Sequence, residues 1–195
     1  MTLVSTNWLE ENLSKVKIID ASWHLVKNRN AIEEYNKEHI TNAIFFDLDK
    51  NSNQKKNLPH NHFLPSLIDH EKTISGMGIL NTDRIIIYCF SDLISSCRAW
   101  FQLLYFGHDP KLVSVLNGGM KKWKLEDRKV TNLKTKVTPS KYKAKENKNM
   151  IKIKNEIDEN IKKNEFTVLD ARSKNRFLGL EPEPRPGIRS GSIEG

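Results

Sequence analysis

Short apolar runs alternate with amphipathic segments along the first two thirds of the chain. The strongest run, from Arg84 to Tyr88, is β-branched and unbroken, which is typical of a strand buried inside a parallel sheet. Similar runs predict strands at 16–20, 43–46 and 112–116. Helical spacing predicts a helix capped by Ser5 or Thr6 and further helices at 31–37, 67–76, 95–106 and 120–124. This alternation predicts an α/β fold whose central parallel sheet is flanked by helices.

The pattern stops at about residue 131 and then begins again. Residues 131–149 show little periodicity, whereas 153–161 have helical spacing and Phe166 to Ala171 form an apolar run that predicts a strand. The run Ile18-Ile19-Asp20-Ala21 returns 150 residues later as Val168-Leu169-Asp170-Ala171. This repeat indicates an internal duplication. We therefore expect a first domain at 1–130, a basic linker at 131–149, and the start of an incomplete second domain at 150–195, with uncovered apolar strand surface.

Positive charge is concentrated around the expected linker. The 195 residues carry a formal net charge of +8, and the stretch from Lys134 to Lys163 holds ten lysines and four acids, a net charge of +6. This stretch contains no arginine and one aromatic residue, Tyr142. A nucleic-acid site needs arginine forks and stacking rings among its charges, so we interpret the run as a solvated hinge and expect no nucleic-acid partner.

Two further observations concern the cellular setting. No apolar run approaches the roughly 20 residues that a membrane span needs, and the first residues lack the basic and apolar regions of a secretory signal. Two cysteines, Cys89 and Cys97, are too few for a disulfide framework. We therefore expect a cytoplasmic protein without a membrane partner.

The most specific block of the sequence lies near its end. It comprises Asp170-Ala171-Arg172, Arg176-Phe177 and the run Gly-Leu-Glu-Pro-Glu-Pro-Arg-Pro-Gly-Ile-Arg-Ser-Gly at 179–191. Earlier motifs of the same kind are Asp20-Ala21-Ser22-Trp23 and Leu116-Asn117-Gly118-Gly119. Together these motifs resemble the rhodanese superfamily, specifically the tandem-domain thiosulfate and 3-mercaptopyruvate sulfurtransferases, along nearly the whole chain.

This resemblance implies a sulfurtransferase without a cofactor that carries sulfane sulfur as a cysteine persulfide. The donor would be thiosulfate or 3-mercaptopyruvate, and the acceptor a thiol or cyanide. In the family the nucleophilic cysteine belongs to the second domain, in a loop that would follow Gly195, so we expect this chain to lack it. Arg176 and Arg185 match the family's substrate-binding positions, where guanidinium forks suit an anionic donor. Arg172 and Arg189 are candidates for a structural role only.

Two residues of the first domain are weaker catalytic candidates. Cys89 follows the strand 84–88, in the place of the nucleophile of an active rhodanese domain, but we interpret it as a partly buried and inert thiol. Cys97 is interpreted as a packing residue. His39 matches a family histidine and could handle a proton, although a helix-capping role is at least as plausible.

The sequence also bears on metal binding, on an alternative function, and on the donor preference and oligomeric state. His60 and His62 lie in a loop without a cysteine nearby, so no metal site is expected. A non-catalytic rhodanese-like module that binds or regulates a partner is the alternative function. The donor preference and the oligomeric state cannot be read from these residues.

Overall fold

A computed structural model describes residues 2–25, 28–56, 58, 62–91, 94–184 and 187–193 of the protein. The chain divides into two compact units, Met1–Lys148 and Asn149–Gly195. Among the described residues, no helix has both the length and the apolar character that a membrane crossing requires.

A five-stranded sheet forms the centre of the first unit. Its strand order is β1-β6-β5-β2-β4, and every neighbouring pair is parallel. The strands are β1 (Leu3–Val4), β2 (Lys17–Asp20), β4 (Ala43–Phe45), β5 (Ile85–Tyr88) and β6 (Val113–Leu116). A separate antiparallel pair joins β3 (His39–Ile40) to β7 (Val130–Thr131). The predicted central position of the strand around Ile86 is confirmed, since β5 lies between β2 and β6.

Helices cover both faces of this sheet. They are α1 (Thr6–Asn12), α2 (Ala31–Lys37), α3 (Leu67–Gly76), α4 (Ser96–Tyr105) and α5 (Gly119–Leu125). Successive strand residues point to opposite faces, so Ile19 and Ile87 enter one buried apolar cluster while Ile18 and Ile86 enter the other. The predicted α/β fold with a central parallel sheet and flanking helices is thereby confirmed.

Residues 132–147, which we call the strap, pack along the first unit. Tyr142 is 2% exposed and belongs to the same apolar cluster as Ile19. The amide of Tyr142 donates to Ser75 Oγ at 3.0 Å, and the amide of Lys145 donates to the Phe106 carbonyl at 3.0 Å. The lysines of this stretch are exposed, as expected of a solvated hinge, but Tyr142 is buried. In the extended strap the lysines face water while Tyr142 and Ala144 face the core.

The regular secondary structure described in the second unit is helical. A short 3-10 helix (Lys148–Met150) precedes α6 (Lys154–Lys163), and α7 spans Lys174–Phe177. The strand predicted from Phe166 to Ala171 does not form, and Leu169 is 87% exposed. A strand needs a neighbour for its backbone hydrogen bonds, and no described residue of this unit supplies one. The apolar surface expected to be uncovered is indeed exposed at Val168 and Leu169.

Candidate functional site

Arg172 is the centre of a polar network in the second unit. Its Nε lies 3.0 Å from both carboxylate oxygens of Asp170, and its Nη2 lies 2.6 Å from Asp170 Oδ2. Its Nη1 donates to Glu183 Oε1 at 2.6 Å, and Nη2 also donates to the Gly191 carbonyl at 2.8 Å. This guanidinium therefore ties together three segments of the unit, and all three of its nitrogens have partners.

Arg176 lies on the short helix α7, whose N-cap is Ser173. Its Nη2 donates to Glu183 Oε2 at 2.5 Å. Its Nε is buried and has no hydrogen-bond partner among the described residues. Glu183 thus receives one guanidinium on each oxygen, Arg172 on one and Arg176 on the other. We call Asp170, Arg172, Arg176 and Glu183 the Glu183 network.

Both carboxylates of this network are ionised at neutral pH. Hydrogen bonds from Arg172 lower the pKa of Asp170 to about 2. The pKa of Glu183 is also lowered, first by its hydrogen bond to Arg176 and further by Arg172. The two arginines and two carboxylates of the Glu183 network therefore sum to zero net charge.

A cavity of about 450 Å³ lies beside this network. Arg172 and Arg189 line it together with Phe177 and a stretch from Ser190 to Ile193, whereas Arg176 does not. Arg189 is exposed at the cavity. The candidate Arg185 lies outside the described residues. Glu183 thus links Arg176 to Arg172. Arg189, for which we expected only a structural role, lies on the cavity wall.

Cys89 follows β5 and lies against the start of α4. Its thiol is buried and donates to Ser96 Oγ at 3.4 Å, while its carbonyl accepts from the Met120 amide at 3.1 Å. Gly119 has φ +53, and a Cβ built there would stand 2.5 Å from the Cys89 carbonyl oxygen. Only glycine allows this close approach, which holds the loop after β5 against α5.

Cys97 differs from its interpretation as a packing residue, because it is exposed. It lies in the first turn of α4 and lines, with Cys89, a cavity of about 450 Å³ at the carboxyl ends of β5 and β6. Desolvation, followed by the proximity of Cys89, raises the pKa of the Cys97 thiol. A raised pKa keeps this thiol protonated and so works against nucleophilic attack.

His39 is 1% exposed and packs inside the first unit. Its Nδ1 donates to the Tyr35 carbonyl at 2.7 Å, and its ring stacks on that of Tyr35 at 4.1 Å between centroids. Tyr35 belongs to the last turn of α2, so this contact is the one expected of a helix-capping histidine. Its Nε2 is buried without a hydrogen-bond partner among the described residues.

The histidines considered as metal ligands are not assembled into a site in the described part of the chain. His62 Nε2 lies 2.6 Å from Asp49 Oδ1, and the ring meets Trp23 edge-on. His60 lies outside the described residues. No group of three or more His, Cys, Asp or Glu side chains suited to a metal ion occurs among the residues that were placed.

Glu183 joins the two arginines, and the sequence did not single it out. It was visible only as part of the Glu-Pro-Glu-Pro run, and nothing in that run distinguishes it from Glu181. Glu181 in fact contacts Ser173 and Asn175 rather than an arginine. The fold of the loop, not its composition, decides which of the two glutamates reaches the guanidinium groups.

The family to which this chain is similar is consistent with its parallel sheet and with the order of its sequence motifs. The family described as "Rhodanese-like domain" matches residues 5–126, and the chain belongs to this family.

The curated relatives make the family more particular. The chain is 34% identical to thiosulfate sulfurtransferase and 36% identical to 3-mercaptopyruvate sulfurtransferase, both from Rattus norvegicus, covering 99% of the chain and 67% of each relative. It is 35% identical to thiosulfate/3-mercaptopyruvate sulfurtransferase 1, mitochondrial, from Arabidopsis thaliana. The chain therefore spans about two thirds of the length of the rat proteins.

Solved structures give the same result. SseA, a 3-mercaptopyruvate sulfotransferase from Escherichia coli, superposes with a TM-score of 0.84 at 28% identity, covering 100% of this chain and 74% of the other. The sulfur transferase subunit of yeast mitochondrial complex I superposes with a TM-score of 0.86 at 27% identity, covering 100% of this chain and 72% of the other.

Proposed function

We propose that this chain contributes the donor-binding arginines of a sulfurtransferase. A cysteine thiolate attacks the donor sulfur and forms a persulfide as the C–S bond of 3-mercaptopyruvate or the S–S bond of thiosulfate breaks, and pyruvate (as its enolate) or sulfite leaves with the electron pair. The outer sulfur of the persulfide then passes to a thiol or cyanide acceptor. No cofactor takes part. Arg176 and Arg185 contact the anionic donor, and the persulfide forms on a cysteine other than Cys89 and Cys97.

The observation that carries this proposal is the buried Nε of Arg176. A buried N–H without a partner costs stability, which a bound carboxylate or thiosulfonate oxygen would recover by accepting from it. The neighbouring Nη2 is already fixed by Glu183 at 2.5 Å, so the guanidinium is held in place before a donor arrives.

The two cysteines of the first unit support the second part of the proposal. Cys89 is buried and its thiol donates to Ser96, and the pKa of Cys97 is raised. A persulfide-forming nucleophile needs a thiol that the donor can reach and that loses its proton easily. Cys89 lacks the first of these features because it is buried, and Cys97 lacks the second because its pKa is raised.

The test combines donor binding with persulfide mapping on the 195-residue chain. NMR titration with pyruvate, which carries the donor's carboxylate, should shift the Arg176 Nε–H signal. Arg176→Ala should abolish this binding, while Lys174→Ala on the same helix should leave it unchanged. After treatment with thiosulfate or 3-mercaptopyruvate, mass spectrometry should find no sulfur added at Cys89 or Cys97. Turnover that Cys89→Ser abolishes would contradict the proposal and place the nucleophile in the first unit.

A second candidate is a non-catalytic rhodanese-like module that binds or regulates a partner. The cavity beside Cys89 favours it, because this cavity lies where parallel α/β sheets bind ligands, while the pKa of Cys97 on its wall is raised. The pyruvate titration separates the two functions, since a module of this kind needs no response at Arg176. The cytoplasmic location stays a prediction.

A further inference from the structure

We propose that a cavity at the amino ends of β2, β4 and β5 binds a small phosphate monoester. This cavity lies at the edge of the sheet opposite the cavity beside Cys89, which follows the carboxyl end of β5. It shares no residue with the proposed donor site, so the two proposals stand or fall separately.

The strap forms one wall of this cavity through residues 135–138. Thr135 Oγ1 donates to the Ala43 carbonyl at 2.7 Å, and the amide of Ser140 donates to the Ser75 carbonyl at 2.9 Å. These hydrogen bonds fix the strap on either side of the wall. The enclosed volume of about 470 Å³ is in the usual range for a small-molecule site, and its walls are formed before a ligand binds.

The charges that line the cavity are mostly positive and uncompensated. The ionisable lining residues are Lys15, Lys17, Asp83, Arg84 and Lys136, four cations and one acid, a net charge of +3. The carboxylate of Asp83 accepts from the Leu80 amide at 2.8 Å, and the Arg84 guanidinium lies over the Trp8 ring at 5.6 Å from its centroid. None of the three lysines forms an ion pair with an acid in the described part of the chain. An entering anion is therefore attracted by all three.

The kind of cation favours a phosphate over a carboxylate. Planar carboxylates are recognised best by the fork of an arginine, whereas lysines act as point charges and suit a phosphate group. The one arginine on the wall, Arg84, is already stacked on Trp8. The amides of residues 136–138 donate to no residue that the structure describes, so they are free to donate to phosphate oxygens. A phosphate monoester also carries about 1.5 to 2 negative charges at pH 7, which matches the excess of cations.

Apolar side chains provide a surface for the organic part of the ester. Ile44 and Met77 line the cavity and pack with the apolar cluster that contains Ile19, and Leu13 and Val137 line it as well. An organic group attached to the phosphate would remove part of this surface from water, which free phosphate cannot do. The cavity therefore combines a cationic part and an apolar part, as a phosphate monoester requires.

The test uses phenyl phosphate as the probe, titrated into the 195-residue chain at pH 7 and low ionic strength. We expect saturable shifts of the NMR amide signals of residues 136–138. Inorganic phosphate has the charged group alone and benzoate replaces it with a carboxylate, so each should bind roughly fivefold more weakly than phenyl phosphate.

Three variants separate the cavity from general surface charge. Lys17→Gln and Lys136→Gln should each weaken phenyl phosphate binding roughly threefold to fivefold, the effect of one partly screened charge at close range. Lys141→Gln removes the same charge from an exposed position of the strap that does not line the cavity, so it should weaken binding by less than about 1.5-fold. Lys136 is exposed and outside any helix or strand, so its variant keeps the test valid even if Lys17→Gln disturbs β2.

The other outcomes each contradict the proposal. If phenyl phosphate produces no saturable shift at residues 136–138, the cavity is not a phosphate site. If benzoate binds as tightly, the site does not select phosphate, and if inorganic phosphate binds as tightly, the ester part of the proposal is wrong. If Lys141→Gln weakens binding as much as Lys136→Gln, diffuse surface charge explains the affinity. None of these results bears on the donor site at Arg176.

Discussion

The two copies of the repeated run, Ile-Ile-Asp-Ala in the first unit and Val-Leu-Asp-Ala in the second, adopt different secondary structure. In the first unit it forms β2, which pairs with β4 on one side and β5 on the other, and Ile18 and Ile19 are 0% exposed. In the second unit the same pattern forms no strand, and Leu169 is 87% exposed. The local turn is nevertheless identical. Asp20 Oδ1 accepts from the amide two residues later at 2.9 Å, and so does Asp170 Oδ1.

The two aspartates also differ in electrostatics. Burial raises the pKa of Asp20, although hydrogen bonds from Ser22 and Tyr88 oppose this. The pKa of Asp170 is lowered to about 2 because Arg172 donates to it. The turn after the aspartate is therefore a local property of the sequence. Strand formation and the pKa of the aspartate depend instead on the residues that surround the run.

The largest expected effect contrasts one apolar residue from each copy. Ile19→Ala removes a fully buried side chain and should lower the free energy of unfolding by about 2–5 kcal/mol, whereas Leu169→Ala should change it by less than about 0.5 kcal/mol. All four tryptophans lie in the first unit, so urea unfolding followed by tryptophan fluorescence reports that unit. For Leu169→Ala, hydrogen exchange in the second unit completes the measurement. A large loss of protection there would show that Leu169 is buried after all.

A second experiment tests how far the first region extends. Tyr142→Phe removes the hydroxyl that donates to His108 Nδ1 at 3.2 Å and should cost about 1 kcal/mol. Lys141→Ala, one residue earlier and exposed, should cost almost nothing. The same urea unfolding measurement applies. Equal and negligible effects would show that the hydrogen bond from Tyr142 to His108 does not stabilise the first unit.

The pH dependence of stability should have opposite signs at the two aspartates, and Asp20 gives the larger effect. Because its folded pKa is raised above 3.8, the folded state holds a proton that the unfolded state has lost. Asp20 therefore contributes most stability below about pH 4 and loses it as the pH rises through its folded pKa. Wild type should thus gain stability relative to Asp20→Asn as the pH falls from 7 toward 4, in urea unfolding at each pH.

The comparison with Asp20→Asn is needed because buried histidines act in the other direction. Burial lowers the pKa of His70 to about 3 and also lowers that of His108. Both histidines bind protons in the unfolded state first, so they destabilise the first unit as the pH falls below about 6.5. Taking the difference between wild type and variant removes this shared background. A difference that grows with rising pH would mean that the pKa of Asp20 is lowered, like that of Asp170.

The smallest expected effect is local and lies at Asp170. Its folded pKa of about 2 is below the ordinary value of 3.8, so the ion pair with Arg172 persists at pH 4 and is lost as the pH falls through about 2. The Arg172 Nε–H signal in NMR should shift with a midpoint near pH 2, and Asp170→Asn should remove the titration. A midpoint near 4 in the wild type would show that Arg172 does not hold the carboxylate.

The sequence predicts best those elements whose signals are local. The helices at Ala31–Lys37 and Leu67–Gly76 occur with the predicted bounds. Their apolar spacing is local, and the second helix also has a capping residue, Ser66, and a stopping residue, Gly76. Ser5 caps α1 as expected by accepting from the Trp8 amide at 3.1 Å. The two-residue strands β1, β3 and β7 were not predicted, since so few residues carry no periodicity.

The errors have non-local causes. The strand at 166–171 depends on neighbours that its own residues cannot supply. The packing of the strap against the first unit was not predicted. Its frequent lysines dominate the composition, so the alternation of apolar residues on its other face is weak in the sequence. Cys97 occupies a helix face that turns toward a cavity, and Glu183 reaches Arg176 through the fold of a loop. Each of these outcomes is fixed by contacts between distant parts of the chain.

The strap also affects how the protein is made. β1 pairs with β6, joining Leu3 to Val115, and the strap then closes over α3 and α4 through Tyr142 and Lys145. During synthesis the first unit therefore cannot complete its core when its last strand and helix leave the ribosome, but must wait until the strap has emerged. Until then the apolar surface that Tyr142 covers stays exposed to water.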